Sequence, residues 1–151
     1  EKHEQHLKVI LNNFPKDYKI AVEFRDNSWF EKSELTFLKS NNNIIMVTSY
    51  LQNLKPFYPS NQETYYIRLI GDRELNTFNK VQKNRTESME HLYTNIKELQ
   101  KRLDVREIFI IVNNHFSGFA PETVNQIKKE LNLPVKNFSH QLKLFDYVNR
   151  K

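Results

Sequence analysis

The sequence predicts an α/β fold built on a parallel sheet. Apolar, β-branched runs alternate with segments of helical periodicity, which is the order of βαβ units. Two of the runs are apolar almost without a break, as strands covered on both faces are. Only four such runs occur, and an isolated four-stranded parallel sheet would leave two exposed edges. Half of an eight-stranded (β/α) barrel, or a small open α/β domain, accounts for this pattern. In the barrel case a missing amino-terminal half or another chain covers the edge. The chain has 151 residues, the usual length of one domain.

Each element has its own signal. Leu7, Ile10, Leu11 and Phe14 are spaced as one helical face that ends at Pro15. Lys19–Phe24 reads as the first strand, and residues 30–39 as a helix with Leu35 and Leu38 three apart. Ile44–Val47 reads as the second strand, followed by a loop over 50–63 that holds Pro56 and Pro59. The β-branched and aromatic run Thr64–Ile70 reads as the third strand, with a polar loop over 71–84 after it. The longest helix follows, with Thr86 as its N-cap and Met89, Leu92, Tyr93, Ile96, Leu99 and Leu103 as its stripe. Glu107–Val112 reads as the fourth strand. Pro121 suits the first turn of the next helix, which carries Val124, Ile127 and Leu131. Beyond Pro134 a last amphipathic segment turns Phe138, Leu142, Phe145 and Val148 inward.

Composition excludes several classes. Cysteine is absent, which removes disulfides, thiolate chemistry and Cys-based metal sites and fits a cytoplasmic location. No apolar run approaches the roughly 18–20 residues of a membrane span. The first ten residues are polar, unlike a signal peptide, and the chain does not begin with Met, as a part of a longer product would not. No P-loop, dinucleotide-binding glycine pattern or Gly-x-Ser-x-Gly elbow occurs. The five histidines form no ligand motif, so neither a metal nor a cofactor is expected. The net charge is +5 and residues 128–151 hold six Lys/Arg against two Asp/Glu, which permits contact with phosphate-rich partners. On a helix such a run is ordinarily a solvated face. Glycine occurs only at Gly71 and Gly118, each soon after a strand.

In parallel α/β folds, sites form beyond the carboxyl ends of the strands. The first strand ends Glu23-Phe24-Arg25 and leads to Asp26 and Trp29; the second ends Thr48-Ser49-Tyr50. The third contains Arg68 and ends Gly71-Asp72-Arg73, and the fourth ends Asn113-Asn114-His115. Strand alternation puts Glu23 and Arg25 on the barrel side, with Ile20, Val22 and Phe24 toward the helices. Arg68, in an apolar strand, requires an acceptor, and Glu23 is the nearest by this geometry. The pair reads either as a structural ion pair or as part of an anion site in which Arg25, Arg68 and Arg73 hold the anion and Asn113 and Asn114 orient it. Trp29 either stacks on a ligand or covers a loop. Glu23, Arg68 and Asn113 are the candidates for catalysis, although a neighbouring Arg opposes Glu23 as a base. Asp26 and Asp72 could supply a second carboxylate, and their spacing matches no hydrolase class.

The segments AVEFRDNSWF (21–30), YYIRLIGDR (65–73) and IIVNNHFSGFAPETVNQIKKEL (110–131) resemble the signature segments of the YecE-like family, known as domain of unknown function 72. RLIGDR and NNHFSGFAPETVN are most similar to its branch in low-GC Gram-positive bacteria. The resemblance implies a TIM-barrel-like fold of which residues 1–151 are a single domain, the carboxyl-terminal half with four parallel strands. It carries Glu23, Arg25, Trp29, Arg68, Gly71, Asn113, Asn114, Gly118, Ala120 and Pro121 over as family-like positions, with Gly118 and Pro121 shaping the last loop and helix start. It implies no activity. The resulting expectation is a protein that binds an anionic or phosphorylated small molecule at the strand ends. A nucleic-acid-binding or nuclease-like protein and a non-catalytic scaffold are the alternatives. Barrel endonucleases use clustered metal ligands, which this half lacks.

Overall fold

The computed structural model describes residues 2–30 and 43–137. The elements are α1 (Lys2–Asn12), β1 (Ile20–Val22), β2 (Ile44–Leu51), β3 (Thr64–Gly71), α2 (Thr86–Gln100), β4 (Glu107–Val112), α3 (Asn114–Ser117) and α4 (Ala120–Glu130), with a one-turn 3-10 helix at Asn27–Trp29. All four strands pair in parallel, in the order β1-β2-β3-β4. A parallel sheet in sequence order with its helices on one face is a TIM-barrel-like half fold.

Register decides which side chains meet the helices. Val22 lies beside Met46, Tyr50 beside Leu69 and Leu69 beside Val112, so these share one face. That outer face holds Tyr65, Ile67 and Leu69, all fully buried, packed with Leu92, Ile96 and Leu99 of α2 and Ile127 of α4. A second cluster joins Phe24 and Met46 to Leu7 and Leu11 of α1. Each such fully buried side chain contributes about 1.5–3 kcal/mol. The inner face is different at β4, where Phe109 and Ile111 remain 45% and 43% exposed.

The crossover from β2 to β3 uses no helix. Residues 52–63 cover the outer face instead, and strand groups tie them down. Thr48 Oγ1 donates to the Phe57 carbonyl at 2.7 Å, and the Tyr65 hydroxyl donates to that of Pro59. The Gln62 side-chain amide binds both the N–H and the C=O of Met46, at 2.9 and 3.1 Å. It thereby stands in for a strand peptide where β3 has not yet begun, and leaves no buried backbone group of Met46 unpaired.

Several expected details change. Strand β1 is shorter than Lys19–Phe24, whereas β2 runs on to Leu51. Thr86 is not the N-cap of α2: Arg85 holds that position, and Asn84 Oδ1 accepts from the Thr86 N–H at 2.8 Å. Leu103 lies past the end of α2 and is fully exposed, so it is not part of the stripe. Ile10 and Phe14 are about half exposed, because the helix seats Leu7 and Leu11 on the core and ends at Asn12. The short helix α3 carries no apolar period to announce it. The expected helix over 30–39 and the segment of Phe138, Leu142, Phe145 and Val148 lie outside the described residues, Phe30 excepted.

Leu92→Ala is expected to lower stability by about 2–5 kcal/mol in urea denaturation, as cavity-forming core substitutions do. Phe109→Ala should cost clearly less, since its ring is half exposed. Equal losses would show that the inner face of β4 is covered.

Candidate functional site

Inner-face positions bring three strand ends together. Ala21 is beside Ile45, Ser49 beside Arg68, and Arg68 beside Ile111. Continuing β1 by one inward position reaches Glu23, whose Oε2 accepts from Arg68 Nη1 across the top of β2. Arg25 Nε lies 3.2 Å from the other oxygen, Oε1, in an ion pair without hydrogen-bond geometry. One carboxylate thus faces two guanidiniums, and the group carries a net charge of about +1 at neutral pH. The Arg68 side chain is 31% exposed, and among the described residues Glu23 is its one acceptor. A guanidinium has five N–H donors and can hold an oxyanion through two of them at once. Two atoms of this region are buried without a hydrogen-bond partner, Glu23 Oε1 and Ser49 Oγ.

The other expected residues are placed otherwise. Arg73 does not join the group; it is exposed with φ 61° in the turn after β3. Asp72 turns to Lys83 Nζ at 2.5 Å and Arg85 Nη2 at 2.8 Å. Arg85 Nε also donates to the Phe116 carbonyl at 2.5 Å, so this cluster ties the loop after β3 to α3. The hydrogen bond from Lys83, with those from Arg85 and the Glu74 N–H, holds the Asp72 carboxyl well below the usual carboxylate range against the opposing effect of desolvation. Asn113 Oδ1 caps α3 by accepting from the His115 N–H at 3.0 Å, and Asn114 Oδ1 accepts from the Ala120 N–H at 2.8 Å. Their carbonyls are thus engaged in turning the chain after β4. Trp29 stacks on Phe24 with ring centres 4.5 Å apart and belongs to the α1 cluster. Asp26 caps the 3-10 turn through the Ser28 N–H at 2.9 Å.

Glycine is required at position 71. Its φ is 83°, and a Cβ there would collide with the His115 carbonyl oxygen. The turn after β3 can pass α3 only without a side chain.

Sequence reasoning missed two features. Ser49 stands next to Arg68, a neighbour relation that follows from the register and not from local pattern. The second is a cavity of about 540 Å³ lined by Tyr50, Lys55, Arg85, Ser88, His91 and Phe116, among others. On its wall the Tyr50 hydroxyl meets the Tyr58 hydroxyl at 2.8 Å and His91 Nδ1 at 2.9 Å. Burial pushes the Tyr50 phenol up to about 12, and Tyr58 still higher, so both remain neutral hydrogen-bonding groups. Among the described residues no three His, Asp or Glu converge as a metal site.

The fold and the convergence of charged residues at the strand ends place this chain among parallel (β/α) proteins of barrel type. The family of proteins of unknown function DUF72, the YecE-like family, matches over residues 1–144, and the chain belongs to it. It is similar to a solved DUF72 family protein of Thermotoga maritima, with 24% identity and a TM-score of 0.64, covering 87% of this chain and 52% of that one. A DUF72 family protein of Enterococcus faecalis is 26% identical with a TM-score of 0.68, covering 89% of this chain and 56% of that one. The chain therefore spans little more than half the length of these solved relatives. No curated protein matches.

Asp72→Asn is expected to cost about 2 kcal/mol at neutral pH, the worth of a charge-assisted hydrogen bond. The folded Asp72 carboxyl refuses a proton that the unfolded chain accepts below the usual carboxylate range. Its contribution is therefore complete above that range and is lost progressively as pH falls from that range toward the lower folded value. The variant should show a shallower acid limb when melting temperature is followed from pH 7 to pH 3.

Proposed function

We propose that this protein binds an anionic, phosphate-bearing small molecule at the carboxyl ends of its strands. The observation that carries this reading is the Glu23–Arg68 bridge, which spans β2 and leaves Arg68 with uncommitted donors beside Arg25. A purely structural pair would need one cation for one carboxylate; here the second guanidinium leaves an excess positive charge. Asn113 and Asn114 shape the loop after β4 through their side-chain oxygens.

We further infer that residues 1–151 are a single domain, the carboxyl-terminal half of a barrel whose amino-terminal half, on this chain or another, covers the sheet. The half-exposed Phe109 and Ile111 and the 52–56% coverage of the solved relatives support this. Positive net charge alone favours nucleic acid, and no recognition motif accompanies it.

Arg68→Met tests the ligand reading. A panel of phosphorylated metabolites should raise the melting temperature of the parent and not of the variant. Equal shifts in both would remove Arg68 from the site, and no shift in either would remove the site.

A further inference from the structure

We propose that Ser49 and Glu23 Oε1, a carboxylate oxygen ion-paired with Arg25 but accepting no hydrogen bond, form a hydroxyl-recognising subsite, so that the ligand carries a hydroxyl group beside its anionic group. This rests on the anion-binding reading and adds the second half of the ligand. Ser49 is 2% exposed, and its Oγ has no hydrogen-bond partner. Glu23 Oε1 is buried with no hydrogen-bond partner either, although Oε2 of the same carboxylate is engaged by Arg68. A buried polar atom left unpaired is destabilising, and folded chains pair nearly all of them. Here one such atom belongs to Ser49 on β2, beside Arg68 in the register, and the other to Glu23 just past the end of β1, on the carboxylate that Arg68 engages.

Their chemistry specifies the missing group. A carboxylate oxygen only accepts, whereas a serine hydroxyl donates and accepts. A ligand hydroxyl can donate to Glu23 Oε1 and accept from Ser49; a bare phosphate oxygen satisfies Ser49 alone and is repelled by the carboxylate. Arg25 covers Oε1 without hydrogen-bonding it, and its side chain is 52% exposed, so it can rotate away. The anion engages donors of Arg68 that Glu23 does not take, and the ligand hydroxyl reaches Ser49 Oγ and Glu23 Oε1 once Arg25 turns aside. A phosphorylated sugar or polyol has this pairing of groups.

The test uses ribose 5-phosphate and methyl phosphate, which differ in hydroxyl groups, with calorimetric affinities for the parent, Ser49→Ala and Arg68→Met. The parent should bind ribose 5-phosphate about tenfold more tightly than methyl phosphate, a ratio equivalent to one hydrogen bond. Ser49→Ala should bring the ratio close to one. The unliganded Ser49→Ala protein should melt at the same temperature or higher, because an unpaired hydroxyl has been removed; a structural serine would give a lower one. A ratio that survives Ser49→Ala, or no preference in the parent, overturns the subsite and leaves the anion reading intact. If neither phosphate binds the parent and Arg68→Met changes nothing, the anion reading fails and the subsite with it.

Discussion

The parallel register between β2 and β3 is the constraint on which the site depends. It aligns Ser49 with Arg68 and Tyr50 with Leu69, and so divides the strands into a face that meets helices and a face that does not. A slip of one residue would send Arg68 into the cluster of Leu92 and Ile96 and expose Ile67 and Leu69. Neither outcome is affordable in a chain this size, because an unpaired guanidinium in an apolar core costs several kcal/mol. The fully buried Tyr65, Ile67 and Leu69 therefore fix where Arg68 points, and Arg68 fixes the acceptor that β1 must bring. The core and the polar cluster are two consequences of one alignment.

A second charged cluster does different work. Asp72 joins Lys83 and Arg85, and Arg85 reaches the Phe116 carbonyl. The long loop after β3 is thereby held against the turn after β4, where Asn113 and Asn114 use their carbonyls as caps. Gly71 permits the close approach that this contact needs. Asp72 had the residue type and position of a ligand-binding carboxylate, but its partners come from its own loop, and the side chain is 6% exposed. It organises the rim and stands apart from the Glu23, Arg25 and Arg68 group.

The division between what could and could not be read from sequence follows from range. Strand identity and facing were legible, because alternation around Ile20, Val22 and Phe24 and the β-branched run at Thr64 are local signals. The Glu23–Arg68 contact was legible too, since an Arg in an apolar strand demands an acceptor. Leu103 misled because helical spacing continues past the last residue that packing can use, and Ile10 because Leu7 and Leu11 are the residues of its face seated on the core. Asn113 and Asn114 resembled ligand groups because caps and ligand contacts favour the same amides. Ser49 carried no signal by itself; its meaning comes from Arg68 one strand away. The short helix α3 escaped because one turn has no period.

The sign of the charge on the inner face links the barrel to the ligand. With β4 open, water screens the excess positive charge of Glu23, Arg25 and Arg68, and Arg25 is half in solvent. In the closed barrel proposed here the same group loses water, and the attraction of an anion to it grows as the local dielectric falls. The cost of holding the group without an anion grows for the same reason. Closure and ligand binding then stabilise each other, since a ligand that binds only the closed form adds its binding free energy to closure. A half-barrel with a neutral inner face would gain nothing of this kind. On the proposed reading, the unequal count of guanidiniums and carboxylates couples assembly of the barrel to occupation of its site.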